Sequence, residues 1–126
     1  MTPQKLGELY IDQMRSDGQL EANDKPVLVI CTTDLVAFGA LKQLRSAGIR
    51  VPQDVMVMGV DGDEAGKYCN PTLTTLVLDP MVLGEKVVSR MLAKIDQQGE
   101  PAESYLDLSP AIADKVRRGD STLLKG

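Results

Sequence analysis

The chain has 126 residues, 43% of them hydrophobic and 25% charged, a balance that fits one globular domain with a single core. Its net charge is -4 and no basic run exceeds Arg117-Arg118, so the electrostatic footprint needed to bind nucleic acid is absent from these residues. Histidine is missing altogether, which excludes Ser-His-Asp and Cys-His nucleophile systems and removes the commonest transition-metal ligand.

No apolar run approaches the ~18 residues of a membrane span, and Met1 to Tyr10 lacks the basic start and apolar core of a secretory signal. The sequence therefore predicts a cytoplasmic protein with no membrane partner. Cys31 sits in an apolar run and Cys69 in a polar loop, a spacing unlike a disulfide framework, so both are expected to be reduced.

Thr2-Pro3 reads as the N-cap and first-turn proline of a helix, with Leu6, Leu9, Tyr10 and Met14 as its apolar stripe and Gly18 as its exit. After Pro26, Val27 to Cys31 is apolar at every position, which predicts a strand buried on both faces of a parallel sheet. A second helix starts at Thr33-Asp34, carries Ala37, Phe38, Ala40, Leu41 and Leu44, and stops at Gly48. A turn through Pro52 leads to a second apolar strand, Val55 to Val60, ended by the acidic stretch Asp61-Gly62-Asp63-Glu64. Leu73 to Leu78 is a third strand. Leu83, Val87, Val88, Met91, Leu92 and Ile95 mark a helix over 81–98, and Ser104 to Leu108 a short strand before a polar tail.

Alternating strands and helices give an α/β fold with a doubly wound, mainly parallel sheet, in which ligands bind at the carboxyl ends of the strands. Asp34 follows the first strand and Asp61 the second, so the two carboxylates are expected to face one crevice. Two readings of Thr33-Asp34 stand side by side, a helix cap and a ligand contact. Asp61, with Asp63 and Glu64, fits a solvated turn, an acceptor for ligand hydroxyls, or a Mg²⁺ site; the EF-hand spacing fails.

Pro26-Val27, then Ala47 through Val55 (Ala-Gly-Ile-Arg-Val-Pro-Gln-Asp-Val), Gly59-Val60-Asp61 and Asn70 through Thr75 (Asn-Pro-Thr-Leu-Thr-Thr) follow one another in an order and at separations that resemble the C-terminal half of LacI/GalR-type transcription regulators. Ala37-Phe38-Gly39-Ala40 matches that family's helix, and Arg118 to Thr122 resembles its ending. The family's asparagine before the first carboxylate is Thr33 here, and a polar residue common after the Thr-Thr segment is Leu78.

The resemblance implies a truncated periplasmic-binding-protein-like (type I), Rossmann-like lobe spanning 1–126, in which 81–98 normally packs on an absent N-terminal lobe and no DNA-binding domain is encoded. It implies a non-enzymatic effector sensor for a sugar or related metabolite, contacted by Thr33, Asp34 and Asp61, with no cofactor and no metal. It further implies a homodimer through Phe38, Tyr68 and Cys69, with exchange of the 81–98 helix as one route, and DNA contact only through an absent N-terminal helix-turn-helix. The rival readings are a solute-binding protein of the same fold and a Mg²⁺-dependent phosphotransfer enzyme using Asp34, Asp61 and Asp63.

Overall fold

The computed structural model describes residues 1–21, 25–96 and 115–123. Helix α1 (Pro3–Ser16) begins where the Thr2 hydroxyl accepts the Lys5 N–H at 3.2 Å, with proline in the first turn. It ends at Gly18, whose φ of 69° turns the chain out. Strand β1 (Val27–Ile30) leads into α2 (Asp34–Ser46), capped by the Thr33 hydroxyl on the Val36 N–H at 3.3 Å. Strand β2 (Val55–Asp61), a 3-10 turn (Glu64–Lys67), β3 (Thr74–Val77), α3 (Pro80–Asp96), β4 (Val116–Arg117) and a last 3-10 turn (Asp120–Thr122) complete the order.

The sheet runs β1-β2-β3-β4, parallel except for β4. Val27 pairs with Val55 and Ile30 with Met58, while Met58 pairs with Thr74, so the carboxyl ends of β1, β2 and β3 lie together. Helices α1 and α2 cover one face. Ile11, Ala37, Ala40 and Leu44 meet Val55, Val57 and Leu73 there, in a core that excludes water from all seven. The architecture is thus the mainly parallel α/β sheet that the sequence predicts.

Three expectations change. In α1 the buried residues are Gly7 and Ile11, whereas Leu6, Leu9 and Tyr10 are exposed. The reason is close helix contact: a Cβ on Gly7 would run into the Val36 carbonyl, so the smallest residue, invisible to a search for bulky apolar positions, defines the buried face. In β1 burial alternates, with Leu28 and Ile30 exposed by 51% and 64%. The register places them beside Met56 and Met58, so the face away from α1 and α2 is apolar but open. The tail forms β4, antiparallel to β3 with Leu76 opposite Val116, where the sequence pattern predicts only a polar end; two residues are too few to show a period.

Helix α3 buries none of its residues; Met81, Val88, Met91, Leu92 and Ile95 all face out. The strand expected over Ser104 to Leu108 lies outside the described residues.

Candidate functional site

The carboxyl ends of β1 and β2 feed the N-terminus of α2 and the loop 61–64, and this is where the sequence places a crevice. Strand β2 carries Gly59 because the Asp34 carboxylate lies against it: a Cβ at 59 would collide with Asp34 Oδ1. Asp34 is fully buried. Its Oδ1 accepts the Thr75 hydroxyl at 2.6 Å and its Oδ2 the Asp63 N–H at 2.7 Å. In place of the open acceptor expected from sequence, Asp34 is an internal tie joining the start of α2, the end of β2 and strand β3. Its burial and its commitment to two protein donors remove it from the surface a ligand would touch.

Asp61 differs in each respect. It is exposed, it ends β2, and its φ of 116° is a left-handed conformation that costs a residue with a side chain about 1–3 kcal/mol. Partial burial pushes its carboxyl above the usual value, the nearby negative charges of Asp34 and Asp63 add to this, and the Asp34 backbone N–H opposes it. A carboxylate exposed at a strand end can accept hydrogen bonds from a polar partner. Thr33, half-buried between β1 and α2, spends one hydroxyl lone pair on its capping bond, and among the described residues its proton has no acceptor.

Asp63 Oδ1 accepts the Ala65 N–H at 2.8 Å and so starts the 3-10 turn. The three carboxylates considered for Mg²⁺ are therefore not gathered round a shared point: Asp34 faces inward and Asp63 caps a turn. Among the described residues no set of three or more Asp, Glu, Cys or His is arranged to hold a metal.

Sequence reasoning missed Arg117 and Ser121 and gave Thr75 no role. Arg117 donates through Nη2 to the Asp63 carbonyl at 2.6 Å and through Nη1 to the Gly62 carbonyl at 3.3 Å. Thr75 Oγ1 also accepts the Gly62 N–H at 3.2 Å. Ser121 is fully buried; its hydroxyl donates to the Val57 carbonyl at 2.7 Å and accepts the Thr74 N–H at 2.9 Å. The only sequence signal was the polar Thr74-Thr75 pair inside a strand, where hydroxyls need partners.

Phe38, Tyr68 and Cys69 lie close together on one side of the lobe. With Leu41 and Arg45 they line a groove of about 560 Å³ between α2 and the 3-10 turn. Tyr68 is 84% exposed, while Phe38 and Cys69 also touch the core. The Cys69 thiol donates to the carbonyls of Pro71 and Gly66.

Residues 3–118 match the family described as periplasmic binding protein-like domain. The HTH-type transcriptional repressor PurR of Haemophilus influenzae (strain PittEE) is 30% identical over 107 residues, which cover 83% of this chain and 31% of that protein. The ribose operon repressor of Haemophilus influenzae (strain Rd) is 34% identical over 89 residues, 71% of this chain and 26% of that one. Among solved structures, the lac repressor dimer bound to operator and the anti-inducer ONPF superposes with a TM-score of 0.70 at 26% identity, covering 94% of this chain and 32% of that one. The chain thus spans under a third of the length of these proteins.

Proposed function

Because the chain belongs to the periplasmic binding protein-like domain family and matches the effector-binding region of LacI-type regulators, we propose that it is the ligand-sensing part of a cytoplasmic transcription regulator, without catalytic activity of its own. The observation that carries this reading is the Asp61 carboxylate, exposed in a left-handed conformation at the joint carboxyl ends of the parallel strands. The effector is a small neutral polar metabolite, a pentose or hexose or a compound with similar donors, whose hydroxyls or N–H groups bond to Asp61 and whose acceptor meets Thr33. DNA binding belongs to a separate N-terminal helix-turn-helix, in keeping with the acidic balance of these residues.

Titration of the isotope-labelled chain with ribose and a set of neutral pentoses and hexoses tests this. Amide shifts confined to Thr32–Leu35 and Asp61–Asp63, and abolished by Asp61→Asn in a chain that still melts cooperatively, are the expected result. An equal response from the Asp61→Asn chain would remove Asp61 from the site.

The same reading assigns dimerisation to the Phe38, Tyr68 and Cys69 groove, supported by an aromatic ring left 84% exposed beside a half-buried one. Sedimentation equilibrium should give a dimer that Tyr68→Arg dissociates. A specific observation favours a second assembly: α3 exposes Val87, Val88, Met91, Leu92 and Ile95 of its apolar stripe, which fits docking on a further lobe or exchange between copies. An assembly that survives Tyr68→Arg and is lost on Met91→Lys, Leu92→Lys would decide for α3.

A further inference from the structure

Resting on the reading of Asp61 as the ligand acceptor, the geometry points to a further role for three residues outside it: Asp34, Thr75 and Arg117 are positioning residues that hold the loop 61–64 from three sides and so fix where the Asp61 carboxylate stands. Asp61 still pairs with Val77 in the sheet, but Gly62 and Asp63 beyond it have no place in the ladder. Asp34 grips the loop through the Asp63 N–H at 2.7 Å, Thr75 through the Gly62 N–H at 3.2 Å, and Arg117 through the Asp63 carbonyl at 2.6 Å and the Gly62 carbonyl at 3.3 Å. The backbone donors and acceptors of two successive residues are therefore fixed by side chains from α2, β3 and β4.

The three grips are themselves linked. The Thr75 hydroxyl has one proton, given to Asp34 Oδ1 at 2.6 Å, and one of its two lone pairs accepts the Gly62 N–H at 3.2 Å. Asp34 and Thr75 are both fully buried, and the described partners of the Asp34 carboxylate are two neutral donors rather than a cation. A buried carboxylate so satisfied contributes little as an ion pair, and replacing it by an apolar residue would cost the fold less than leaving it half-satisfied. What it does contribute is direction: with Gly62 and Asp63 pinned, the peptide before them is over-determined, and the left-handed Asp61 (φ 116°) is the conformation that meets every bond. The side chain of Asp61 is thereby held exposed at the strand end, beside the backbone N–H of Asp34 at the start of α2. The tail strand β4 becomes part of the ligand site through Arg117, although it lies 54 residues further along the chain.

Thr75→Val, which keeps the shape of the side chain and removes the hydroxyl, tests the assignment against Thr75→Ser, which keeps the hydroxyl. Amide hydrogen exchange on the whole chain is the readout, with the Val57 N–H in the core as an internal reference. We expect Thr75→Val to raise exchange at Gly62 and Asp63 at least tenfold more than at Val57, Thr75→Ser to restore protection within about threefold, and Arg117→Gln to loosen the same two amides. Unchanged protection at Gly62 and Asp63 in Thr75→Val would overturn the proposal, as would a uniform loss over the whole lobe that Thr75→Ser does not restore. If Thr75→Val fails to fold, the Arg117→Gln chain carries the same comparison. Since this readout needs no ligand, a chain that binds no sugar yet shows the local loosening would sink the ligand reading and leave the positioning intact.

Discussion

Gly39 of α2 lies against the main-chain carbonyl of Gln4 in α1, so closely that a Cβ at position 39 would overlap it, and Gly7 returns the contact on the Val36 carbonyl of α2. The two helices cross backbone to backbone. Glu8 then reaches Lys42 across the crossing, and Gln43 reaches Asp12 at 2.6 Å. Gly39→Ala gains about 1 kcal/mol of helix propensity, yet the helices must separate to admit the methyl, a strain of roughly 1–3 kcal/mol that also loosens Ile11 against Leu44. The expected outcome is a net loss of about 1–2 kcal/mol in a urea titration. A midpoint at or above that of the wild type would mean that the crossing is looser than it stands here.

Ser121 closes the seam between β2 and β3, and nothing else on the 3-10 turn does the same work for the Thr74 N–H. Ser121→Ala leaves a buried N–H and weakens a buried carbonyl, which costs about 1–3 kcal/mol. Ser121→Thr, which retains the oxygen, separates the lost bond from the lost volume: the alanine chain should melt lower than the threonine chain.

Arg50 forks onto Asp54 with bonds of 2.6 and 2.8 Å, joined by the Arg50 N–H at 2.9 Å, and these hold the Asp54 carboxyl at about 2 against an ordinary 3.8. The folded state therefore gives up a proton that the unfolded chain still holds between those values. Its contribution is fully present above about pH 4 and is lost as pH falls through about 2. Asp54→Asn should flatten the acid limb of a plot of urea midpoint against pH in that window and leave the slope near neutrality unchanged. A parallel acid limb would show that the pair opens in solution.

The two thiols differ in reach. Cys31 is buried, and burial followed by the charge of Asp34 pushes it up to about 11, whereas Cys69 is half-buried at the groove. With iodoacetamide at pH 8, mass spectrometry should find Cys69 modified first and Cys31 modified only after unfolding in urea, because the thiolate is the nucleophile. Equal rates would place Cys31 on an exposed route.

Val57 is fully buried between α2 and the neighbouring strands. Val57→Asp leaves a carboxylate there without a described partner, at a desolvation cost of several kcal/mol, and should abolish cooperative melting. A retained sharp transition would contradict its central place in the core.

The order of helices and strands from α1 to α3, the parallel arrangement of β1 to β3 and the position of Asp61 at a strand end were legible in the sequence, because each rests on a local signal. Apolar runs such as Val55 to Val60 mark strands, Thr2-Pro3 and Thr33 mark helix starts, and Gly18 and Gly48 mark their ends. The division of labour between Asp34 and Asp61 was not legible. Both are aspartates just past apolar strands, and only the approach of Thr75, Asp63 and Gly59 from other elements makes one internal and leaves the other exposed.

Chain chemistry by itself thus determined the helices α1 to α3, the strands β1 to β3, the lack of histidine, and which acidic residues stand at the carboxyl ends of the strands, since periodicity, capping and composition act over a few residues. Tertiary structure alone decided that Gly7 and Gly39 form the helix contact, that β4 and Ser121 complete the sheet, and that Arg117 reaches the loop of Asp61. The helix contacts, Gly7 with Val36 and Gly39 with Gln4, span 29 and 35 positions, and the bonds of Ser121 and Arg117 span 64 and 54; burial satisfies a polar group with whatever partner the fold brings within about 3 Å, however far away it lies in sequence.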